Sequence, residues 1–151
     1  MIALAQQDGQ DGAGAGEFRG GSGAEGVYRS MNENQTFTAA FGRNKWPVWG
    51  AAGGKDGSVN YLQFIDADGT VSEPMGITAR RVMNTNDVVR MVTATGGGYG
   101  DPFKRPAEKV AMDVKNEYIT ADQAKEDYGV LVDPNTFQVL GLTEERQNAE
   151  K

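Results

Sequence analysis

The sequence predicts a mainly β protein with a helical C-terminal tail, an α+β fold built on a small antiparallel sheet, barrel or sandwich. Between residues 27 and 95, short apolar runs alternate with polar residues and are separated by turn-forming residues, which is typical of half-buried strands. Beyond the glycine run at 96–100, the apolar spacing lengthens to about 3.6 residues, the period of a helix. The 21 glycines among 151 residues also disfavour a helical bundle.

Three segments are expected: a glycine-rich leader over 1–26, a β domain over 27–100 and a helical tail over 101–151. The leader holds 8 of the glycines and too little apolar surface to fold alone, so it is either flexible or ordered against something else. Phe18 and Arg19, an anchor and a charge among glycines, favour ordering against a partner.

Within the β domain, residues 36–41 alternate apolar and polar side chains, and 61–65 form a second clear strand. The turn signal at 66–69 then predicts a hairpin. Residues 77–83 and 88–95, joined by a polar turn, are predicted to pair with each other.

The first helix of the tail begins at Pro106, a residue favoured in the first turn of a helix. One stripe of that helix carries Ala107, Val110, Ala111, Val114 and Tyr118. Thr120 and Gln123 form a capping-box pattern that opens a second helix, ending near Gly129. Short strands are expected at 130–132 and 137–140, followed by a frayed end over 143–151.

Composition excludes several classes of chemistry. The chain has no cysteine and no histidine, which removes disulfides, thiolate zinc sites, Cys nucleophiles and Ser-His-Asp arrangements. No catalytic residue and no metal ligand is therefore assigned. A net charge of -6 without a basic half argues against nucleic acid. Residues 1–5 lack a signal-peptide pattern and no long apolar segment follows, so neither export nor a membrane is expected and the cytoplasm is the default location.

Two loops invite ligand-binding interpretations. The glycine run at 96–100 lies after a strand and before a helix, where backbone N–H groups can cradle a phosphate. It lacks the Lys-Ser/Thr of a P-loop, and Asp101 stands where a dinucleotide motif needs glycine, so a tight structural turn is favoured. Asp66 and Asp68 resemble the start of a calcium loop, but Ile77 occupies the place of its final Glu, which favours a hairpin turn.

Cations and tryptophans interleave in the next candidate site. Arg43, Lys45, Trp46 and Trp49 have the composition that stacks on bases or holds an anion. Because the chain is acidic, an anchor that packs this loop onto the sheet or onto a partner is favoured. Arg80 and Arg81 are adjacent within a predicted strand, so one of them points inward. That arginine needs a carboxylate partner from this chain or another.

Five motifs in one order carry a family resemblance. They are GAGEFRGG at 14–21, RNKWPVWG at 43–50 with GGK at 53–55, GGGYGDP at 96–102, DV at 113–114 and EDYGV at 126–130. Together they resemble the C-terminal segment of the hydantoinase B/oxoprolinase family, over about residues 14 to 133.

The resemblance implies an ATP-dependent complex, as in 5-oxoprolinase, N-methylhydantoinases and the acetone and acetophenone carboxylases. Its expected partners are hydantoinase A-like and hydantoinase B-like large subunits. ATP and Mg, or another metal, are implied for the complex and none for this chain alone, since a chain without histidine cannot rebuild the family's metal centre.

The resulting hypothesis is a small non-catalytic subunit of a carboxylase that joins a ketone and bicarbonate. Two alternatives stay open: a subunit or C-terminal piece of an ATP-dependent cyclic amide hydrolase, and a stand-alone module that binds an anion or nucleotide. Cofactor-binding residues are not assigned. The candidate partner contacts are Phe18, Arg19, Arg43, Trp46, Trp49, Gly97, Tyr99 and Asp101.

Overall fold

The computed structural model describes the backbone of residues 1–8 and the whole of residues 12–149. It divides into two compact units. The first unit holds residues 1–8, 23–47 and 59–94, and the second holds 12–22, 48–58 and 95–149. Both units therefore combine segments that are far apart in the sequence.

The first unit is built of six antiparallel strands. Four of them form one sheet in the order β1-β2-β6-β4, and the other two pair as β3-β5. Their bounds are β1 Ile2–Asp8, β2 Ala24–Arg29, β3 Gln35–Ala40, β4 Tyr61–Ile65, β5 Ile77–Met83 and β6 Val88–Val92. Among the described residues no sheet closes into a barrel, and the predicted α+β class is confirmed.

The predicted pairing of 77–83 with 88–95 is wrong. β5 pairs with β3, whereas β6 lies between β2 and β4. The intervening turn explains the change of sheet. The Asp87 carboxylate accepts the N–H groups of Asn84 at 2.6 Å and Ala67 at 2.9 Å, and the Ser30 N–H donates to the Asp87 carbonyl at 2.8 Å. These bonds fix the start of β6 against residues outside a local hairpin.

The core of the first unit contains Leu62, Phe64, Met83 and Val89. The Arg81 guanidinium lies 4.4 Å from the centre of the Phe64 ring and pairs with Asp66 at 2.9 Å. The inward arginine thus takes its carboxylate from this chain. Arg80 lies at a bulge of the β3-β5 pair with φ 52 and is exposed.

The predicted hairpin turn after β4 is present. The Asp66 N–H donates to the Thr70 carbonyl at 2.9 Å, and Ile65 forms an isolated bridge with Val71. Both carboxylates of the calcium-like pattern are engaged, since Asp66 pairs with Arg81 and the Asp68 carboxylate accepts the Thr70 N–H. The loop is therefore a structural turn.

The second unit carries the helices. A 3-10 turn at Pro102–Lys104 leads to α1 Ala107–Lys115, α2 Ala121–Tyr128, β7 Val130–Val132, β8 Val139–Leu142 and α3 Glu144–Ala149. The Thr120–Gln123 capping box is confirmed, and α2 ends at Gly129 in the left-handed conformation. The hydrophobic core of this unit contains Ala15, Val110, Ala111, Val114, Ile119, Ala124, Tyr128, Val130 and Val132.

Two predictions for the tail are wrong. The last strand begins at Val139 rather than residue 137, because Phe137 adopts φ 58 within the turn that follows Asp133. The end expected to fray forms α3 as far as Ala149, and residues 150–151 lie outside the described part. Arg146 holds α3 in place because its guanidinium donates to the Tyr128 and Arg105 carbonyls, each at 2.9 Å. No described helix has the length and apolar character needed to cross a bilayer.

Candidate interaction surface on a glycine layer

Three glycine-rich segments of the second unit, 12–22, 48–58 and 95–101, form one hydrogen-bonded layer, which we call the glycine layer. The Gly14 N–H donates to the Gly96 carbonyl at 2.9 Å, the Gly98 N–H to the Lys55 carbonyl at 2.9 Å, and the Ala51 N–H to the Gly98 carbonyl at 2.9 Å. Residues 12–22 of the predicted leader are therefore ordered against other segments of this chain.

The layer requires glycine because its backbones touch. A Cβ added at Gly20 would lie 2.1 Å from the Gly96 carbonyl oxygen, and one at Gly98 would lie 2.1 Å from the Ala15 oxygen. Gly97 is equally restricted, since its Cβ would meet the Trp49 oxygen at 2.2 Å. Backbone atoms cannot swing aside as a flexible side chain does, so these positions are closed to every other residue.

Four of the five amides of the 96–100 run donate hydrogen bonds within the layer. Gly96, Gly98, Tyr99 and Gly100 donate to backbone carbonyls of the other two segments at 2.8 to 2.9 Å. A phosphate cradle needs such N–H groups to point at the ligand. In this conformation the run is a packing element rather than an anion site.

Three large aromatic side chains stand on the layer, and we call them the aromatic surface. Phe18 is 60% exposed, Trp49 72% and Tyr99 58%. Phe18 and Tyr99 form an antiparallel bridge, and their ring centres are 6.3 Å apart. Ala51 bridges Tyr99 in parallel, which brings the segment carrying Trp49 alongside. Clustered Trp, Tyr and Phe on a rigid support have the composition of interface anchors.

Arg19, predicted as a partner contact, points instead into the second unit. Its Nε lies 3.5 Å from Oδ2 of Asp113, and its guanidinium lies 4.6 Å from the centre of the Tyr118 ring. Arg105 pairs with the same carboxylate oxygen at 2.8 Å and donates to the Glu17 carbonyl at 3.0 Å. All three charged side chains are mostly buried. The cluster fastens the glycine layer to α1.

The remaining candidates have separate places. Asp101 caps the 3-10 turn, since its carboxylate accepts the Phe103 N–H at 2.9 Å. Arg43 and Trp46 belong to the first unit. Trp46 is 78% exposed, and the Arg43 backbone has φ 52. The structure thus places Phe18, Trp49, Gly97 and Tyr99 in the glycine layer of the second unit, and Arg43 and Trp46 in the first unit.

Sequence reasoning missed two ion pairs of the second unit, Arg105 with Asp113 at 2.8 Å and Lys55 with Asp127 at 2.6 Å. Lys55 and Asp127 lie in distant segments, so no local pattern could have revealed that pair. Burial raises the pKa of Tyr128 to about 12, because its side chain loses hydration in the core. Its hydroxyl has no hydrogen-bond partner among the described residues. The described residues also contain no group of three carboxylates placed to hold a metal ion.

Comparison with known proteins gives relatives of one family. A family model described as hydantoinase B/oxoprolinase matches residues 4–102. The beta subunit of a caprolactamase from Pseudomonas jessenii is 34% identical over 129 residues, covering 83% of this chain and 22% of that protein. The B-type subunit of a putative D-/L-hydantoinase from Pseudomonas sp. (strain NS671) is 31% identical over 119 residues, covering 78% of this chain and 20% of that protein.

Two solved structures have the same fold. An ATP-dependent caprolactamase from Pseudomonas jessenii superposes with a TM-score of 0.72 at 30% identity, over 97% of this chain and 25% of that one. A nucleotide-free acetone carboxylase gives 0.73 at 20% identity, over 98% of this chain and 24% of that one. The chain spans about a fifth of the length of the curated relatives it matches. From the family model and the identities over most of its length, the chain belongs to the hydantoinase B/oxoprolinase family.

Proposed function

We propose that this chain is a small non-catalytic structural subunit that corresponds to part of a hydantoinase B-type chain, in an ATP-dependent complex that opens a cyclic amide. Two of the relatives above 30% identity are named as components of a caprolactamase and of a hydantoinase. The acetone carboxylase is 20% identical and supports the fold alone. We therefore propose amide opening as the reaction of the complex, in preference to the ketone carboxylation that the sequence analysis put first.

The aromatic surface carries this proposal. Exposed Phe18, Trp49 and Tyr99 stand on a layer whose closed glycine positions leave the backbone little freedom. A preorganised surface loses little conformational entropy when a partner docks. Its proposed partners are hydantoinase A-like and hydantoinase B-like chains in the cytoplasm, and exposed Trp46 of the first unit is a further anchor for them.

A non-catalytic role also fits the use of charge in the second unit. Arg19 and Arg105 are committed to Asp113, and Lys55 to Asp127. In the proposed complex, ATP and Mg are bound by the partner chains, and this chain supports their arrangement.

Purification of the tagged chain from its native source tests the proposal. Mass spectrometry should identify hydantoinase A-type and B-type chains in the same particle. That particle should hydrolyse caprolactam or hydantoin only with ATP. Carboxylation of acetone with bicarbonate would replace the amide assignment, and recovery of the chain as a lone monomer would contradict the subunit role.

Trp49→Ala should weaken the isolated chain's affinity for the large partner chains by about 2 kcal/mol, close to 30-fold, because a central exposed aromatic is the residue type that dominates interfaces. Val71→Ala is the control, since Val71 is 56% exposed and is not part of the aromatic surface. Binding is measured by biolayer interferometry with purified partners. Equal affinities for the two variants would remove Trp49 from the interface.

A further inference from the structure

Two adjoining cavities of the second unit follow α1, and we call them together the α1 groove. The larger, about 370 Å³, is lined by apolar residues of the α1–α2 region and the β7–β8 turn, including Val114, Tyr118, Ile119, Pro134 and Phe137. The smaller, about 280 Å³, is lined by Ala111, Met112, Phe137 and Val139 among others. Phe137 lines both cavities and separates them.

Several apolar side chains at the α1 groove are exposed to solvent. Met112 is 52% exposed, Tyr118 40% and Val139 37%, and Leu140 next to the groove is 69% exposed. Phe137 holds φ 58, a left-handed conformation that a bulky residue rarely adopts. Contiguous apolar surface of this kind marks contact sites for other polypeptide.

The shape of the site favours an extended occupant. β8 pairs with β7 in a two-stranded sheet, so among the described residues its other edge has no strand partner. A Cβ at Gly141 would meet nothing within 4 Å, which leaves room beside the strand. An unpaired strand edge beside side-chain pockets is the arrangement by which proteins bind extended segments.

The charges at the rim select the chemistry of that segment. Glu108, Lys115 and Glu117 line the two cavities, and none of them makes an ion pair within the described part of the chain. Two acids against one base leave the rim negative. A basic side chain beside an apolar anchor would complement it.

We propose that the α1 groove binds an extended, apolar segment with a basic residue, contributed by the large hydantoinase B-type partner chain. The inference rests on the proposed function. The solved caprolactamase chain contains the counterpart of 97% of this chain within 25% of its own length, so three quarters of such a subunit lies outside the matched part and is available to cover the groove.

Photo-crosslinking in the purified complex tests this occupant. A benzophenone amino acid is placed at position 112 of the full chain, and a second preparation carries it at position 49. Position 112 should crosslink to an apolar, lysine- or arginine-containing peptide of the B-type subunit. A crosslink from position 112 to a second copy of this chain would overturn the groove proposal, and so would the absence of any crosslink at 112 while position 49 reacts. Either result would leave the proposed structural role of the aromatic surface standing. Absence of large subunits from the particle would overturn both.

An affinity measurement gives a second readout. Met112→Glu should weaken binding to the B-type subunit at least tenfold, because it places a carboxylate in an apolar contact whose rim is already negatively charged. Met31→Glu is the matched control, as Met31 is 46% exposed and lines neither cavity of the α1 groove. Circular dichroism of both variants checks that the chain is folded. Wild-type affinity in a folded Met112→Glu variant would reject the groove as a contact site.

Discussion

The sheet core of the first unit and the glycine layer of the second are both close-packed, but different atoms make the contacts. In the first unit, side chains such as Phe64 and Leu62 interdigitate between strands. In the glycine layer, backbone meets backbone, as where a Gly20 Cβ would lie 2.1 Å from the Gly96 oxygen. A sheet core therefore fails when side-chain atoms are removed, and the glycine layer fails when they are added.

The largest expected effect belongs to the sheet core. Phe64→Ala should lower the free energy of unfolding by about 4 kcal/mol, because Phe64 is 1% exposed and packs edge-on against Phe37 at 5.7 Å. Urea denaturation followed by circular dichroism measures it. Phe18→Ala is the control, since the same atoms are removed from a 60% exposed site, and a loss below about 1 kcal/mol is expected there. Similar losses of unfolding free energy for both variants would contradict the statement that the first unit depends on buried side-chain contacts.

The glycine layer should fail in the opposite direction. Gly20→Ala is expected to cost about 3 kcal/mol, since the added methyl meets a backbone carbonyl that cannot rotate away. Its neighbour provides the control, because a Cβ at Gly21 meets nothing within 4 Å and Gly21→Ala should change stability by less than about 0.5 kcal/mol. Thermal and urea unfolding of both variants decide the point. If Gly20→Ala matched Gly21→Ala, the layer would not be close-packed.

The smallest expected effect is a loss of unfolding free energy at alkaline pH, and it concerns the buried Tyr128 of the second unit. The pKa of Tyr128 is about 12 in the folded chain and near 10 when unfolded, so the native state keeps the proton longer. This contribution to stability is complete below pH 10 and is lost as the pH rises through about 12. Tyr128→Phe should leave stability at pH 7 nearly unchanged, since the buried hydroxyl has no partner among the described residues.

The measurement compares urea unfolding of wild type and Tyr128→Phe between pH 8 and 12. The difference in unfolding free energy between the two proteins should shift in favour of the variant above pH 10. Parallel profiles over the whole range would show that Tyr128 is not desolvated as the fold places it.

Local signals in the sequence predicted the local structure well. The strand at 61–65, the capping box at Thr120 and the helix end at Gly129 were each confirmed, because a few neighbouring residues determine them. The pairing of β5 was not predictable in the same way. Asp87 bonds to Asn84 within the turn and to Ala67 in the loop after β4, and such contacts leave no trace in the spacing of apolar residues.

The candidate surface was predictable only in part. Exposed aromatics among glycines indicated anchors at Phe18 and Trp49, and the structure places both on the glycine layer. Arg19 looked the same in sequence but pairs with Asp113, and only the fold brings that carboxylate near. The glycines themselves did not show whether their segments are ordered, since a flexible linker and a close-packed layer can have the same composition.

The glycine layer has a consequence for how order in this chain is observed. Its residues count as coil in optical spectroscopy, because they lie outside helices and strands apart from isolated bridges. Yet amides such as those of Gly14, Ala51 and Gly98 are bonded within the layer. A bonded amide exchanges its hydrogen with solvent only when the structure opens. Deuterium uptake should therefore be slow in segments of this chain that a spectrum reports as unstructured.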